Sequence, residues 1–222
     1  YNTKASIAFH AVTNDKVKAM EGRFELPLFP IGAVLFTGGK MPLRIFEPRY
    51  IDMISDCMKS NTGFGIVLIR AGSDSIRDKE DKLPTFFEIG TYATIVDFNS
   101  YADGRLGIVV EGGPQIRIHD SWEQENRLQI GSVEVLADER RTQIGEENEP
   151  LVNLLKQLIK DPMLKGLEGD IDFHDARVVG WKLAELLPIA EETKQSLLQI
   201  RYARERLAEL RRLLAKFQGR QS

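Results

Sequence analysis

The spacing of apolar and polar positions changes period along this chain, and each change predicts an element. From Leu26 the apolar positions fall in short runs separated by turn residues, the texture of β structure. Pro27 and Pro30 bracket Leu28-Phe29 and exclude a helix there. Residues 34–36 and 42–46 read as extended segments joined by a turn at Thr37-Gly38-Gly39. Behind Pro48, which suits a first helical position, Tyr50, Ile51, Ile54, Cys57 and Met58 recur at helical spacing. That pattern predicts a helix from Pro48 to about Ser60, ended by Asn61 and Gly63. Residues 64–69 then read as a buried strand, 71–84 as a polar loop and 86–99 as a long alternating strand. Asp103-Gly104 is a hairpin signal leading into a strand at 106–110. Two more strands, 115–119 and 128–136, follow with period two.

After the polar, acidic stretch 137–150 the period becomes helical. Leu151, Val152, Leu154, Leu155, Leu158 and Ile159 predict one helix, and residues 175–187 a second that stops before Pro188. A third is expected from near Glu191 to about Gln218, with Ala203, Leu207, Leu210, Leu214 and Phe217 forming a narrow apolar seam. Many short strands with one helix among them make a closed or nearly closed barrel economical, because closure removes sheet edges. The expected class is therefore α+β: an extension over 1–24, a β lobe over 25–136 and a helical lobe over 150–218.

Composition narrows the function classes. A net charge near −3 gives no overall bias toward nucleic acid or an anionic membrane surface. The single cysteine, Cys57, permits no intrachain disulfide. No apolar run reaches the length of a membrane span, and a cytoplasmic setting is the expectation.

Candidate chemistry is sparse. The run Thr37-Gly38-Gly39-Lys40-Met41 suggests a phosphate-binding loop, but the first glycine of that motif should stand where Val34 is. The magnesium-ligating hydroxyl is replaced by Met41, and Pro42 prevents a helix from continuing out of the lysine. His10, His119 and His174 are far apart in sequence from one another and from Cys57, so no familiar zinc spacing exists. No nucleophile elbow appears, and neither a metal nor a cofactor is expected. The densest segment is Phe46-Glu47-Pro48-Arg49-Tyr50, a strand-to-helix corner. In its structural reading Glu47 caps the helix, Arg49 pairs with a nearby carboxylate, and Phe46 and Tyr50 clamp helix to sheet. In its functional reading Arg44, Phe46, Arg49, Tyr50 and Arg117 contact a ligand. The last helix is locally basic: Arg201, Arg204, Arg206, Arg211, Arg212, Lys216 and Arg220 face only Glu205 and Glu209. Arg201, Arg204, Arg211 and Arg212 are thus candidates for a basic binding face, against the alternative of a solvated surface.

Several ordered blocks together resemble the Lon N-terminal, substrate-binding domain family, including its free-standing bacterial members. They are residues 25–36 (ELPLFPIGAVLF), 41–50 (MPLRIFEPRY), Gly113-Pro114-Gln115-Ile116-Arg117-Ile118, Leu186-Leu187-Pro188 and 192–198 (ETKQSLL). The resemblance runs from about Glu25 to Leu214. It implies a PUA-like β-barrel followed by a helical bundle, acting as a non-catalytic module that binds polypeptide segments or partner proteins and is linked to ATP-dependent proteolysis. The chain ends at Ser222, and the expectation is that it lacks the ATPase and Ser–Lys protease modules of full Lon proteases. Binding is expected in a groove between the two lobes, with apolar walls and exposed strand edges that pair with an extended peptide. RNA binding by a PUA-like module ranks second.

Overall fold

The computed structural model describes residues 17, 22–73, 82–100, 106–161 and 171–218. His10, the extension apart from Val17 and Gly22–Phe24, most of the polar loop and the Asp103-Gly104 turn lie outside the described residues, as does the Phe217 side chain. Among the described residues seven strands are formed: β1 (Arg23–Ile31), β2 (Lys40–Ile45), β3 (Phe64–Ala71), β4 (Thr85–Phe86), β5 (Ile89–Ser100), β6 (Leu106–Glu123) and β7 (Gln129–Val135). Helix α1 (Pro48–Ser60) lies between β2 and β3. A 3-10 turn (Glu146–Asn148) leads into α2 (Glu149–Leu158), α3 (Ala176–Leu186), α4 (Glu191–Gln199) and α5 (Ala203–Gln218).

The pairings of five strands return to their start. β1 runs antiparallel to β7, β7 to β6, β6 to β5 and β5 to β3, while β3 pairs in parallel with β1. β1 changes neighbours at Leu28: residues 23–28 pair with β7 and residues 28–31 with β3. Pro27 and Pro30 therefore each sit where β1 has one neighbour, so a missing N–H can face the unpaired side. β2 stands off this cycle and pairs with β6 alone.

β6 is a single strand where the sequence pattern suggests two, at 106–110 and 115–119. Gly112 carries it through. A Cβ on Gly112 would lie 2.1 Å from the Phe36 carbonyl oxygen, so only glycine admits the loop between β1 and β2. Gly38 N–H donates to the Gly112 carbonyl (2.7 Å), and Gly112 N–H donates to that of Gly39 (2.9 Å). Gly38 has φ +72°, the left-handed conformation expected of a glycine turn. Residues 34–36 form no strand; Val34 and Phe36 instead enter the core shared with the helices.

α1 matches its predicted bounds. Asn61 ends it in the left-handed conformation (φ +53°), with its backbone N–H bonded to the Cys57 carbonyl. Glu47 does not cap it through its side chain, contrary to the expectation, because that carboxylate is engaged by Arg49. Cys57 packs against Phe64, Ile66, Ala93 and the other residues of that core. Burial pushes its thiol up to about 11, with the nearby Thr62 hydroxyl opposing the rise.

The expected helix from 191 to 218 is broken into α4 and α5 at residues 200–202, where Ile200 is extended (φ −71°, ψ 117°). Arg206 explains the break. It is fully buried, and its guanidinium donates to the Ile200 carbonyl (2.8 Å) and the Leu197 carbonyl (3.4 Å), satisfying the end of α4 from outside the helix. The same group lies 3.1 Å from the centre of the Trp181 ring and pairs with Glu139 at 3.1 Å. Trp181 in turn meets Phe36, ring centres 5.6 Å apart. Arg206 therefore does not belong to the basic outer face, and Glu139, in a stretch that reads as a polar connector, is its partly buried partner.

The region between sheet and helices is packed. Val34, Phe36 and Leu68 share one cluster with Leu151, Leu155, Val179, Leu183, Leu197 and Leu207. Gln195 donates to the Ile89 carbonyl (2.8 Å), Gln115 to the Leu198 carbonyl, and Val34 N–H to Glu191 (2.9 Å). Asp175 caps α3 by accepting from Arg177 N–H. Burial pushes its carboxyl up, but the hydrogen bonds and charge of Arg177 prevail and hold it below the usual carboxylate range.

Two predictions follow from this packing. Removing one partner of the buried pair strands the other, so Arg206→Met and Glu139→Gln should each lower stability by about 3 kcal/mol. Combined they should lose at least ~1 kcal/mol less than the sum, measured by urea denaturation; additive losses would contradict the pairing. At pH 8 about one Cys57 in a thousand is thiolate at that pKa. Iodoacetamide labelling should therefore track global unfolding in urea, and rapid labelling of the folded protein would contradict the burial.

Candidate functional site

Two strand edges left single by the pairing scheme line one cleft. On one side are Phe29, Pro30 and Ile31, beyond the point where β7 stops pairing with β1; on the other are Pro42 to Ile45 of β2. Phe46, Glu47 and Tyr50 of the corner complete it. Its volume is about 180 Å³, smaller than pockets for drug-sized ligands and suited to one or two side chains.

The floor is aromatic and aliphatic because β2 alternates: Leu43 and Ile45 point inward, and Arg44 outward. Tyr50 meets Phe29 edge-on, ring centres 4.5 Å apart and planes at 64°, and Phe29 meets Phe64 at 5.9 Å. Phe46 is 59% exposed on the rim, the largest exposure among the big apolar side chains described. It is not the clamp that the corner's structural reading expects; Tyr50, 5% exposed, has that place. Arg49 lies beneath, 7% exposed. It pairs with Glu47 (2.8 Å), donates to the Arg127 carbonyl (2.9 Å) and stacks 4.4 Å from the Tyr50 ring centre. These contacts tie the corner to the turn between β6 and β7.

The structure thus brings Arg44, Phe46 and Tyr50 together at one opening and places Arg49 as their support. Arg117 is elsewhere. It is exposed on β6, in register with Ile89 and Glu134, ten residues along the strand from the Gly107 that faces Arg44. At the usual rise per residue that is roughly 30 Å. The sequence reading did not single out Phe29, Pro30 or Ile31; the paired prolines were the available signal, since they mark single-neighbour edges.

Arg204, Arg211 and Arg212 of α5 are exposed, as is Arg201 in the break before it. Arg212 pairs with Glu209 (3.0 Å), Arg211 donates to the Glu147 carbonyl (3.3 Å), and Arg201 lies 5.5 Å from the Tyr202 ring centre. A second hollow of about 430 Å³ lies between α2 and α5, bordered by Leu154, Gln157, Arg211 and Leu214. Among the described residues, the core described above occupies the region between sheet and helices where a groove is expected. His119 contacts Glu134 (2.8 Å) and His174 is exposed. Among the described residues no three His, Cys, Asp or Glu side chains gather as a metal site, and no helix is long and apolar enough to cross a membrane.

Residues 25–216 match the family described as the ATP-dependent protease La (LON) substrate-binding domain. Lon protease 1 of Bdellovibrio bacteriovorus is 25% identical over 194 residues, and Lon protease of Vibrio parahaemolyticus 28% over 193; each alignment covers 83% of this chain. The chain spans about a quarter of the length of these relatives (24% of each). Among solved structures, a Lon N-terminal domain protein from Xanthomonas campestris is 31% identical with a TM-score of 0.67, covering 84% of this chain and 96% of that one. The N-terminal domain of a Mycobacterium avium complex Lon protease, at 15% identity, shares the fold with a TM-score of 0.57 over the same shares. The α+β architecture and the match over residues 25–216 agree, and the chain belongs to the LON substrate-binding domain family.

Proposed function

We propose that this chain is a non-catalytic recognition module that holds polypeptide segments by their apolar side chains in the cleft between β1 and β2. The observation that carries this reading is Phe46, exposed above a floor of Phe29, Leu43, Ile45 and Tyr50, in a chain whose family is a substrate-binding one. In this reading the five-strand cycle is a PUA-like barrel over residues 25–136, and the helices over 150–218 are a bundle that braces it. Anchoring is by side chains rather than by strand addition, because Pro30 and Pro42 each remove a donor from the two edges beside the cleft. The link to ATP-dependent proteolysis rests on the family's description and on the Lon proteases among its relatives, and a cytoplasmic setting is proposed with it. RNA binding has less support, since Arg206 is buried and Arg211 and Arg212 already have partners.

A reduced, alkylated model protein should bind the purified chain with an affinity that changes little between low and moderate salt. Phe46→Ser should weaken that binding about tenfold, as expected for losing one buried aromatic anchor, while leaving thermal stability unchanged. Unaltered binding by Phe46→Ser would overturn the assignment of the cleft, and steeply salt-dependent binding of RNA in place of polypeptide would overturn the ligand class.

A further inference from the structure

The charges around the cleft are unequal in their commitments. Glu47, the carboxylate lining it, is held 2.8 Å from the Arg49 guanidinium and is 15% exposed. Arg49 itself is buried, with its other contacts to the Arg127 carbonyl and the Tyr50 ring. At the far end of β2, Lys40 lies 4.0 Å from Glu111. Arg44 differs from all of these. It lines the cleft, points away from the core between the buried Leu43 and Ile45, and has no ion pair or hydrogen bond through its side chain among the described residues. The cleft therefore presents an apolar floor with one uncommitted cation on its rim.

We infer that the cleft selects apolar segments that carry an acidic side chain close by, with the Arg44 guanidinium receiving that Asp or Glu carboxylate while the apolar side chain enters beside Phe46. This inference rests on the polypeptide-binding reading and adds a sequence preference to it. A planar guanidinium accepts a carboxylate through two parallel N–H donors, whereas a ligand cation would meet Arg44 and the Glu47 charge already neutralised by Arg49. The source is an acidic side chain within a chain rather than a terminal carboxylate. Pro42 and Arg44 line the cleft and are exposed on the outer side of β2, so a chain lying along that strand can present an internal side chain to Arg44.

The test uses short peptides, acetylated and amidated, with one Phe-Leu pair and a Glu at successive positions on either side, each beside its Gln counterpart. The chain should bind the best-placed Glu peptide about fivefold more tightly than its Gln counterpart, the scale of an exposed charge-assisted contact. That ratio should shrink with added salt. Arg44→Gln should bring the ratio to one, and Arg44→Lys should retain part of it. Since Arg44 is exposed and unpaired, an unchanged melting temperature verifies that the variants are folded. Equal binding of Glu and Gln peptides, with weakening by Phe46→Ser, would overturn the acidic preference and leave the polypeptide reading standing. A preference that survives in Arg44→Gln, or one given only by a free C-terminal carboxylate, would overturn it equally. Failure of every peptide to bind the unaltered chain would overturn the polypeptide reading and this inference with it.

Discussion

The closing of five strands on one another leaves single-neighbour edges at the end of β1 and on β2, and the candidate site lies between them. β7 begins at Gln129, opposite Leu28, so past that residue β1 pairs with β3 alone. β2 is carried off the cycle because the loop before it docks on Gly112, where any larger residue would meet the Phe36 carbonyl. Both edges would ordinarily invite pairing with another chain. Each has a proline in the cleft-lining stretch, Pro30 on one and Pro42 on the other, so the opening keeps its apolar side chains accessible while offering an incomplete ladder.

The helices brace the sheet beside the cleft. A fully buried arginine is an expensive choice, and it persists here because every face of Arg206 is used: the carbonyls at the end of α4, the Glu139 carboxylate and the Trp181 ring. Through Trp181 and Phe36 the stack reaches the same loop that docks on Gly112. The position of β2, and with it the wall of the cleft, is thus tied to the helical packing by contiguous contacts.

Local signals in the sequence are legible where the governing interaction is itself local. Helix α1 is bounded correctly because Pro48 and Asn61 act on adjacent backbone. The α+β order and the corner at residues 46–50 are legible for the same reason. Features set by distant partners are not. Gly112-Gly113-Pro114 reads as a strand break, since the loop that makes glycine necessary there comes from more than seventy residues earlier. The seam of α5 reads as continuous with α4, because nothing in the spacing of Arg206 marks it as buried. Arg44 and Arg117 look alike in sequence, each flanked by apolar residues, yet register puts them far apart on the sheet.

Membership in the substrate-binding family fixes the class of surface to look for, and the strand pairings show where a shaped, apolar and accessible one exists. What is at stake is whether a polypeptide segment is held in the cleft between β1 and β2. Two-dimensional NMR of the isotopically labelled chain, titrated with an unlabelled apolar peptide, tests it most directly. The amide shifts that move first should cluster at Phe29, Ile31 and residues 43–50 other than Pro48. Shifts confined to α5, or to the hollow between α2 and α5, with those residues unmoved, would contradict it.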